Sequence, residues 1–315
     1  MSNIFAKMIH LIILLGLGKF FRITGVFKTS TINDIKEFII NISLPCLLFS
    51  SFMTMEIKNE HFLLFLLVIL MEIIFLTAAI IVNRFKLLSH PLVLFISTGC
   101  AAGFIGIPFF LAVYDVQHLG KFTLFSVGHE IYLWILLCSF LQFVFKKQRP
   151  SLKESLKTLI SPIIIGVMSG ILLNKLNIDT LLASNVIYKG IFSTIESLSS
   201  LTTPLILIVL GYNISFNLNY IKDSLKLILI RMSIIFSTGY FFKYTVIDKL
   251  ISTDPVFNHA FFTFLVTPPA LVMPIIVSKY LSEEYSELAS NVITLNIIVS
   301  MIIYMSAVFY YKATI

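Results

Sequence analysis

Gly99-Cys100-Ala101-Ala102-Gly103-Phe104-Ile105-Gly106-Ile107-Pro108 interrupts a segment otherwise apolar enough to cross a bilayer. Thr267-Pro268-Pro269-Ala270-Leu271-Val272-Met273-Pro274 does the same in a matching place of the second half. Proline removes a backbone donor and its ring clashes with the preceding turn. A span broken in this way persists in lipid only where protein or a polar cavity satisfies the freed groups. A matched pair of interrupted spans points to the place where a transported substrate binds.

The rest of the sequence fits such spans. Of the 315 residues, 58% are hydrophobic and 12% charged, and the mean hydropathy is +0.97. Soluble domains carry about 25% charged residues, so a soluble globular fold is excluded. The length accommodates about ten helices of roughly 20–25 residues. Spans are expected at 4–22, 33–54, 61–83, 90–113, 121–145, 154–174, 189–212, 225–247, 257–279 and 285–310, which makes an all-α multi-pass membrane protein with no separate soluble domain. Thr31 before Asp34, and Ser151 before Glu154, have the spacing of helix-start capping boxes.

The net charge of +7 does not indicate nucleic acid, because the basic residues sit between spans instead of forming one stripe. Connections after odd-numbered spans hold Lys19, Arg22, Lys28, Arg84, Lys86, Lys146, Lys147, Arg149, Lys153, Lys157, Lys222 and Lys226. Those after even-numbered spans hold Glu56, Glu60, Asp115, Asp179, Asp248 and Asp254. The positive-inside rule puts loop 146–153 in the cytoplasm and both termini outside the plasma membrane. Lys7 stands alone, and Gly16-Leu17-Gly18 runs directly into Lys19, so the first span is read as retained. Cys46, Cys100 and Cys138 fall within spans and read as small apolar fillers, with no disulfide framework, metal site or cofactor indicated.

Dividing the chain at the basic linker gives 1–147 and 151–315, each with five spans. An odd number forces the second half to enter the membrane in the opposite sense. Landmarks agree: Pro204 follows Pro45 by 159 residues (204 − 45), and Arg231 follows Glu72 by the same number (231 − 72). Pro108 precedes Pro268 by 160 (268 − 108) and Pro274 by 166 (274 − 108). Two inverted five-helix repeats account together for span number, linker and broken helices.

Charged groups near a bilayer centre cost about 2.5–3.5 kcal/mol each on insertion scales, so each needs a reason. Glu130, with His129 beside it, is a proton-coupling candidate; the competing reading is a protonated structural acid bonded to a neighbouring helix. His129-Glu130-Ile131-Tyr132-Leu133 lacks the second histidine of a zinc-protease helix. Glu72 and Arg231 either meet across the pseudo-twofold axis as a coupling pair, or remain apart as a neutral acid and a snorkelling cation. Asn41, four residues before Pro45, has the spacing to satisfy the carbonyl which that proline frees; Pro204 is the matching break in the other half. Gly166 and Gly170 suit close helix packing. Pro108 and Pro274 each suit the first turn of a new half-helix, whose unpaired amides favour a carboxylate. The binding candidates are therefore Gly103, Gly106, Pro108, Pro268, Pro269 and Pro274. Ordinary packed proline kinks are the structural alternative.

Asn41-Ile-Ser-Leu-Pro45-Cys-Leu-Leu-Phe49, Gly103-Phe-Ile-Gly106-Ile-Pro108, Pro204-Leu-Ile-Leu-Ile-Val-Leu-Gly211, and Pro268-Pro269-Ala270 followed by Pro274 and Lys279-Tyr280 resemble the auxin efflux carrier family. That family holds plant auxin exporters and bacterial permeases assigned to malate and malonate. The resemblance covers essentially the whole chain and rests on the order and spacing of short motifs. It implies a ten-span fold of two inverted repeats, a scaffold domain, a transport domain whose broken spans 4 and 9 cross near the substrate, an elevator-like motion and a homodimer. Ala101 stands where the family often has asparagine, so a polar contact of relatives is missing and substrate identity does not carry over.

The expected activity is secondary transport of small organic anions such as carboxylates, driven by protons or membrane potential. A receptor that binds a carboxylate without moving it is the alternative. A membrane enzyme is disfavoured, because paired aspartates, Gly-x-Ser-x-Gly and metal-ligand spacings are lacking. On a cysteine-free background, single cysteines at 147 and 222 are expected to resist an impermeant thiol reagent added to intact cells, and cysteines at 115 and 179 to react. External labelling at 147 would reverse the topology.

Overall fold

Prolines and glycines decide where these apolar helices bend and touch. The computed structural model describes residues 2–54, 59–146, 162–182, 184–214 and 217–313. Among them the regular structure is entirely helical. In chain order the main helices are α1 (Ser2–Thr24), α2 (Thr29–Thr54), α3 (Asn59–Val82), α4 (Val93–Ile96), α5 (Ala102–Val113) and α6 (Val116–Phe145). There follow α7 (Pro162–Lys175), α8 (Val186–Asn213) and α9 (Leu218–Leu250), α10 (Pro255–Val266), α11 (Met273–Tyr280) and α12 (Glu283–Ala313). Among the described residues, six helices are long and apolar enough to cross a membrane. The chain is thus a helical, membrane-type protein.

One expectation about helix starts changes. The second helix begins at Thr29, with Lys28 in the capping position and no side-chain cap, so Thr31 lies inside the helix and caps nothing. Ser151, Glu154, Lys147 and most of the basic loop 146–153 fall outside the described residues. Pro45 is accommodated without Asn41, whose side chain is exposed. The helix widens into a π-turn at Ile39–Ser43, where the Leu44 amide donates to the Ile39 carbonyl five residues back. Wider turns of this kind absorb a missing donor while the helix continues. Pro204 sits near the start of the helical segment Thr202–Asn213, where donors are orphaned in any case.

Two compact units divide the chain, and neither follows a sequence half. The first comprises Met1–Asn59, Ile107–Thr123 and Lys157–Ile214; the second comprises Glu60–Gly106, Leu124–Leu156 and Ser215–Ile315.

In the first unit, glycine pairs bring helices together. A Cβ at Gly18 of α1 would lie 2.1 Å from the Ile208 carbonyl oxygen of α8, and one at Gly211 of α8 would lie 1.9 Å from that of Leu15. On the second pair, a Cβ at Gly166 of α7 would meet the Pro45 carbonyl oxygen of α2 at 2.6 Å, and one at Gly170 that of Phe49 at 2.7 Å. Such backbone-to-backbone approach is open only to glycine, and it compensates for the absence of a hydrophobic drive between helices in lipid. Between α2 and α8, the buried hydroxyls of Ser43 and Thr202 lie 2.5 Å apart. Lys19 Nζ donates to the Ile214 carbonyl at 2.8 Å and Arg22 Nη1 to that of Tyr212 at 3.2 Å. These two cations close the C-terminal end of α8, where carbonyls lack donors and the dipole is negative. The ends of α1 and α8 therefore lie on one side.

Gly16 separates the effects of packing and helix propensity, because a Cβ there meets nothing within 4 Å. Gly211→Ala should lower stability by about 1–3 kcal/mol through overpacking, whereas Gly16→Ala should leave it equal or raised. Thermal unfolding in detergent, followed by size-exclusion of the remaining fraction, compares them directly.

Candidate substrate and coupling site

Apart from Pro108, the residues described below belong to the second unit. Helix α4 ends at Ile96, and residues 97–101 are not helical. Gly99 has φ +76°, a left-handed conformation that costs a glycine little and other residues more. The amides of the three residues that follow Thr98 each find a partner outside the span. Gly99 N–H donates to Glu72 Oε2 at 3.4 Å and Cys100 N–H to His129 Nε2 at 3.1 Å. Ala101 N–H donates to the Pro268 carbonyl at 2.8 Å. The chain then re-enters a helix through a π-turn at Ala102–Gly106.

Residues 267–272 form the second break, between α10 and α11. Pro268 and Pro269 lie in it, and Pro274 occupies the first turn of α11, as its spacing predicts. The Ala101–Pro268 bond joins the two breaks backbone to backbone. Three carbonyls that would otherwise lack donors are thus satisfied here, because Arg231 of α9 supplies the other two bonds. Its Nη1 donates to the Ile96 carbonyl and its Nη2 to that of Thr267 at 3.0 Å, with Cys100 Sγ at 3.5 Å. Ile96 ends α4 and Thr267 caps the end of α10, so the guanidinium sits where helix carbonyls point, a position that favours a cation. Arginine suits the task because its planar fork donates in several directions at once.

Glu72 and His129 complete the cluster. Both are fully buried and Arg231 is 1% exposed; none of the three can be relieved by solvent. His129 Nδ1 lies 3.0 Å from Glu72 Oε1. A backbone amide can only donate, so the Cys100 N–H requires a bare Nε2 on His129, and the imidazole proton is therefore on Nδ1, aimed at Glu72. This fixes a neutral histidine beside a carboxylate acceptor. Around them the hydroxyls of Ser97, Thr98 and Tyr132 are buried without a hydrogen-bond partner, the last two as neighbours of one another.

The sequence-level candidates are sorted by this geometry. Glu72 and Arg231 do not pair: among the described ion pairs Glu72 meets His129, and Arg231 bonds backbone carbonyls. Arg231 does not snorkel either, being enclosed by protein. His129 and Glu130 face different ways, since consecutive helical residues differ by about 100°. Glu130 is half-buried and accepts from the Trp134 indole, one turn along its own helix, at 2.9 Å; it does not bond a neighbouring helix.

The first break also lies earlier than its glycines and proline suggest. Gly103 and Gly106 are inside the π-turn, and the Gly106 amide donates to the Ala101 carbonyl at 3.2 Å. Gly106 is therefore no unwound anion donor. Pro108 is buried in the α-helical turn that follows, in the other compact unit. The residues that sequence reasoning missed are Gly99, Cys100 and Thr267. Gly99 carried a signal, as the glycine nearest the middle of its span; the roles of Cys100 and Thr267 rest on their main-chain atoms, which any residue provides.

The chain matches no protein-family model and no curated protein.

Since Glu72 and Arg231 each hold backbone groups of the breaks, they do not compensate one another. Arg231→Met should leave two buried carbonyls unpaired and cost on the order of 2–6 kcal/mol, about 1–3 kcal/mol for each. Glu72→Gln combined with Arg231→Gln should be no more stable than the worse single variant, by thermal unfolding in detergent. A double variant restored toward the wild type would show a direct pair.

Proposed function

We propose that the protein is a secondary transporter of small organic anions, carboxylates foremost, of the auxin efflux carrier kind. The observation that carries this reading is the meeting of two interrupted apolar spans at the Ala101–Pro268 bond, over the buried Glu72, His129 and Arg231. Irregular backbone at membrane depth is tolerated where protein or a cavity satisfies it, and discontinuous helices are the usual place where transporters bind cargo. Buried ionisable groups inside apolar spans are costly, and they mark substrate or ion pathways.

The anion preference follows from the same place. The first turn of α5 presents amides of Ala102, Gly103 and Phe104 that have no intrahelical acceptor, whereas in the first turn of α11 Pro274 has no donor and the Met273 and Ile275 amides are taken by the Ala270 and Val272 carbonyls. A helix start like that of α5 favours a carboxylate, and Arg231 adds a cation close by.

Ten spans in two inverted repeats, with a scaffold and a moving transport body, fit this function. Ser43 and Thr202 support the repeat, because residues separated by 159 positions, the offset between Pro45 and Pro204, touch each other. Two equivalent positions can touch only near an axis that relates them. The exchange of partners in the first unit, α1 on α8 and α7 on α2, has the same symmetry.

Purified protein in liposomes should take up members of a labelled panel of lactate, malate, malonate and benzoate, and an imposed pH gradient or potential should change the extent of accumulation. Saturable binding without accumulation under either gradient would replace transport by a receptor role. Gly99→Val, which strains the left-handed position, should reduce uptake more than Gly106→Ala.

A further inference from the structure

We infer that the Glu72–His129 pair is the proton-binding element of this site, and that one proton added at His129 Nε2 releases the Cys100 amide of the broken span to a ligand. The inference rests on the anion-transport reading for what the proton is coupled to, and on hydrogen-bond chemistry for the switch itself.

His129 has one place left for a proton. Its Nδ1 already carries one, directed at Glu72 Oε1 at 3.0 Å, while its Nε2 lone pair accepts the Cys100 N–H at 3.1 Å. Protonation at Nε2 sets one N–H against another. The Cys100 bond must break, and the imidazolium stays paired with the Glu72 carboxylate, so the proton enters without losing its counter-ion. The balance is simple: one proton arrives from the aqueous side, one N–H bond forms on the ring, and one backbone donor is set free. That donor lies between Gly99, left-handed and already outside helical geometry, and Ala101, which ties the two breaks together.

The groups facing the pair favour anion entry at that moment. Arg231 of α9 reaches Cys100 Sγ, the Cys100 thiol belongs to the break, and the Tyr132 phenol lies on the same helix as His129, three residues on. From α10 and α11 come only an aromatic ring and a thioether: Phe264 against the imidazole, and Met273 beside Gly99. With Glu72 and Arg231 both ionised their formal charges cancel, and a His129 that accepts the Cys100 N–H at Nε2 is neutral. A proton on His129 raises the net formal charge of the cluster to plus one, next to a free amide and three buried hydroxyls. One monovalent carboxylate restores neutrality. Proton and anion thus bind together, one to one, and each raises affinity for the other by the same factor.

Solution NMR of the protein in nanodiscs tests this. Glycine labelled at its carbonyl carbon and cysteine labelled with ¹⁵N isolate the Cys100 amide, because among the three cysteines only Cys100 follows a glycine. Histidine ¹⁵N spectra report tautomer and charge, with His129→Gln identifying the signal. Between about pH 8 and about pH 5, His129 should pass from the Nδ1–H form to the imidazolium, and the Cys100 amide should shift with the same midpoint. Glu130→Gln should leave both titrations unchanged; Glu72→Gln, and His129→Gln where it folds, should abolish the Cys100 response. An Nε2–H tautomer at high pH, a His129 that stays neutral throughout, or a Cys100 amide that does not follow His129 would overturn the inference. Lactate or benzoate should move the shared midpoint to higher pH, with anion affinity rising up to about tenfold per pH unit lowered. An intact switch whose midpoint ignores every carboxylate of the panel would refute the anion reading and leave the proton site in place.

Discussion

Peptide groups freed in the middle of an apolar helix must be satisfied without water, and this requirement organises the second unit. Gly99, Cys100 and Ala101 expose three donors; Ile96, Thr267 and Pro268 expose three acceptors. One donor and one acceptor satisfy each other. A carboxylate and an imidazole take the other donors, and a guanidinium takes the other acceptors. Costly buried ionisable groups are therefore explained first by backbone accounting, and their charge becomes available for chemistry afterwards. Each unpaired buried group would cost about 1–3 kcal/mol, so the cluster keeps the break ordered.

This dual use explains why the site is both stable and switchable. Hydrogen bonds from Arg231 to carbonyls cannot change with pH, because neither partner titrates in the physiological range. The bond from Cys100 to His129 can, since its acceptor is also a base. One half of the break is clamped, and the other half is held by a group with two states.

Much of the architecture was legible in the sequence. Long apolar runs located the helices, and the prolines near 268 and 274 located the second break, because a missing donor is a local property. Gly166 and Gly170 read correctly as a close-packing pair. The site was legible only in part. Glu72, His129 and Arg231 stood out as ionisable groups in apolar spans, but which of them meet depends on tertiary placement, and a common offset in the chain suggested a pair that does not form. The first break was displaced because Gly103, Gly106 and Pro108 look more disruptive than Gly99; a π-turn accommodates the former, while the left-handed φ falls on the latter. Asn41 was assigned to a carbonyl that a widened helical turn manages without it.

The contact between α1 and α8 bears on how the molecule is made. Lys19 must wait for Ile214, 195 residues further along the chain, before its bond can form. At about 5–20 residues per second of synthesis, that delay is roughly 10–40 s. During that interval the Gly18 face of α1 lacks its α8 partner, and the segments Glu60–Gly106 and Leu124–Leu156 of the second unit are synthesised in between. The α1–α8 contact therefore closes only after α2 and α7, which pack on one another, have both been made. A narrow glycine face, which lipid tails can cover without exposing a polar side chain, is a safe surface to leave waiting.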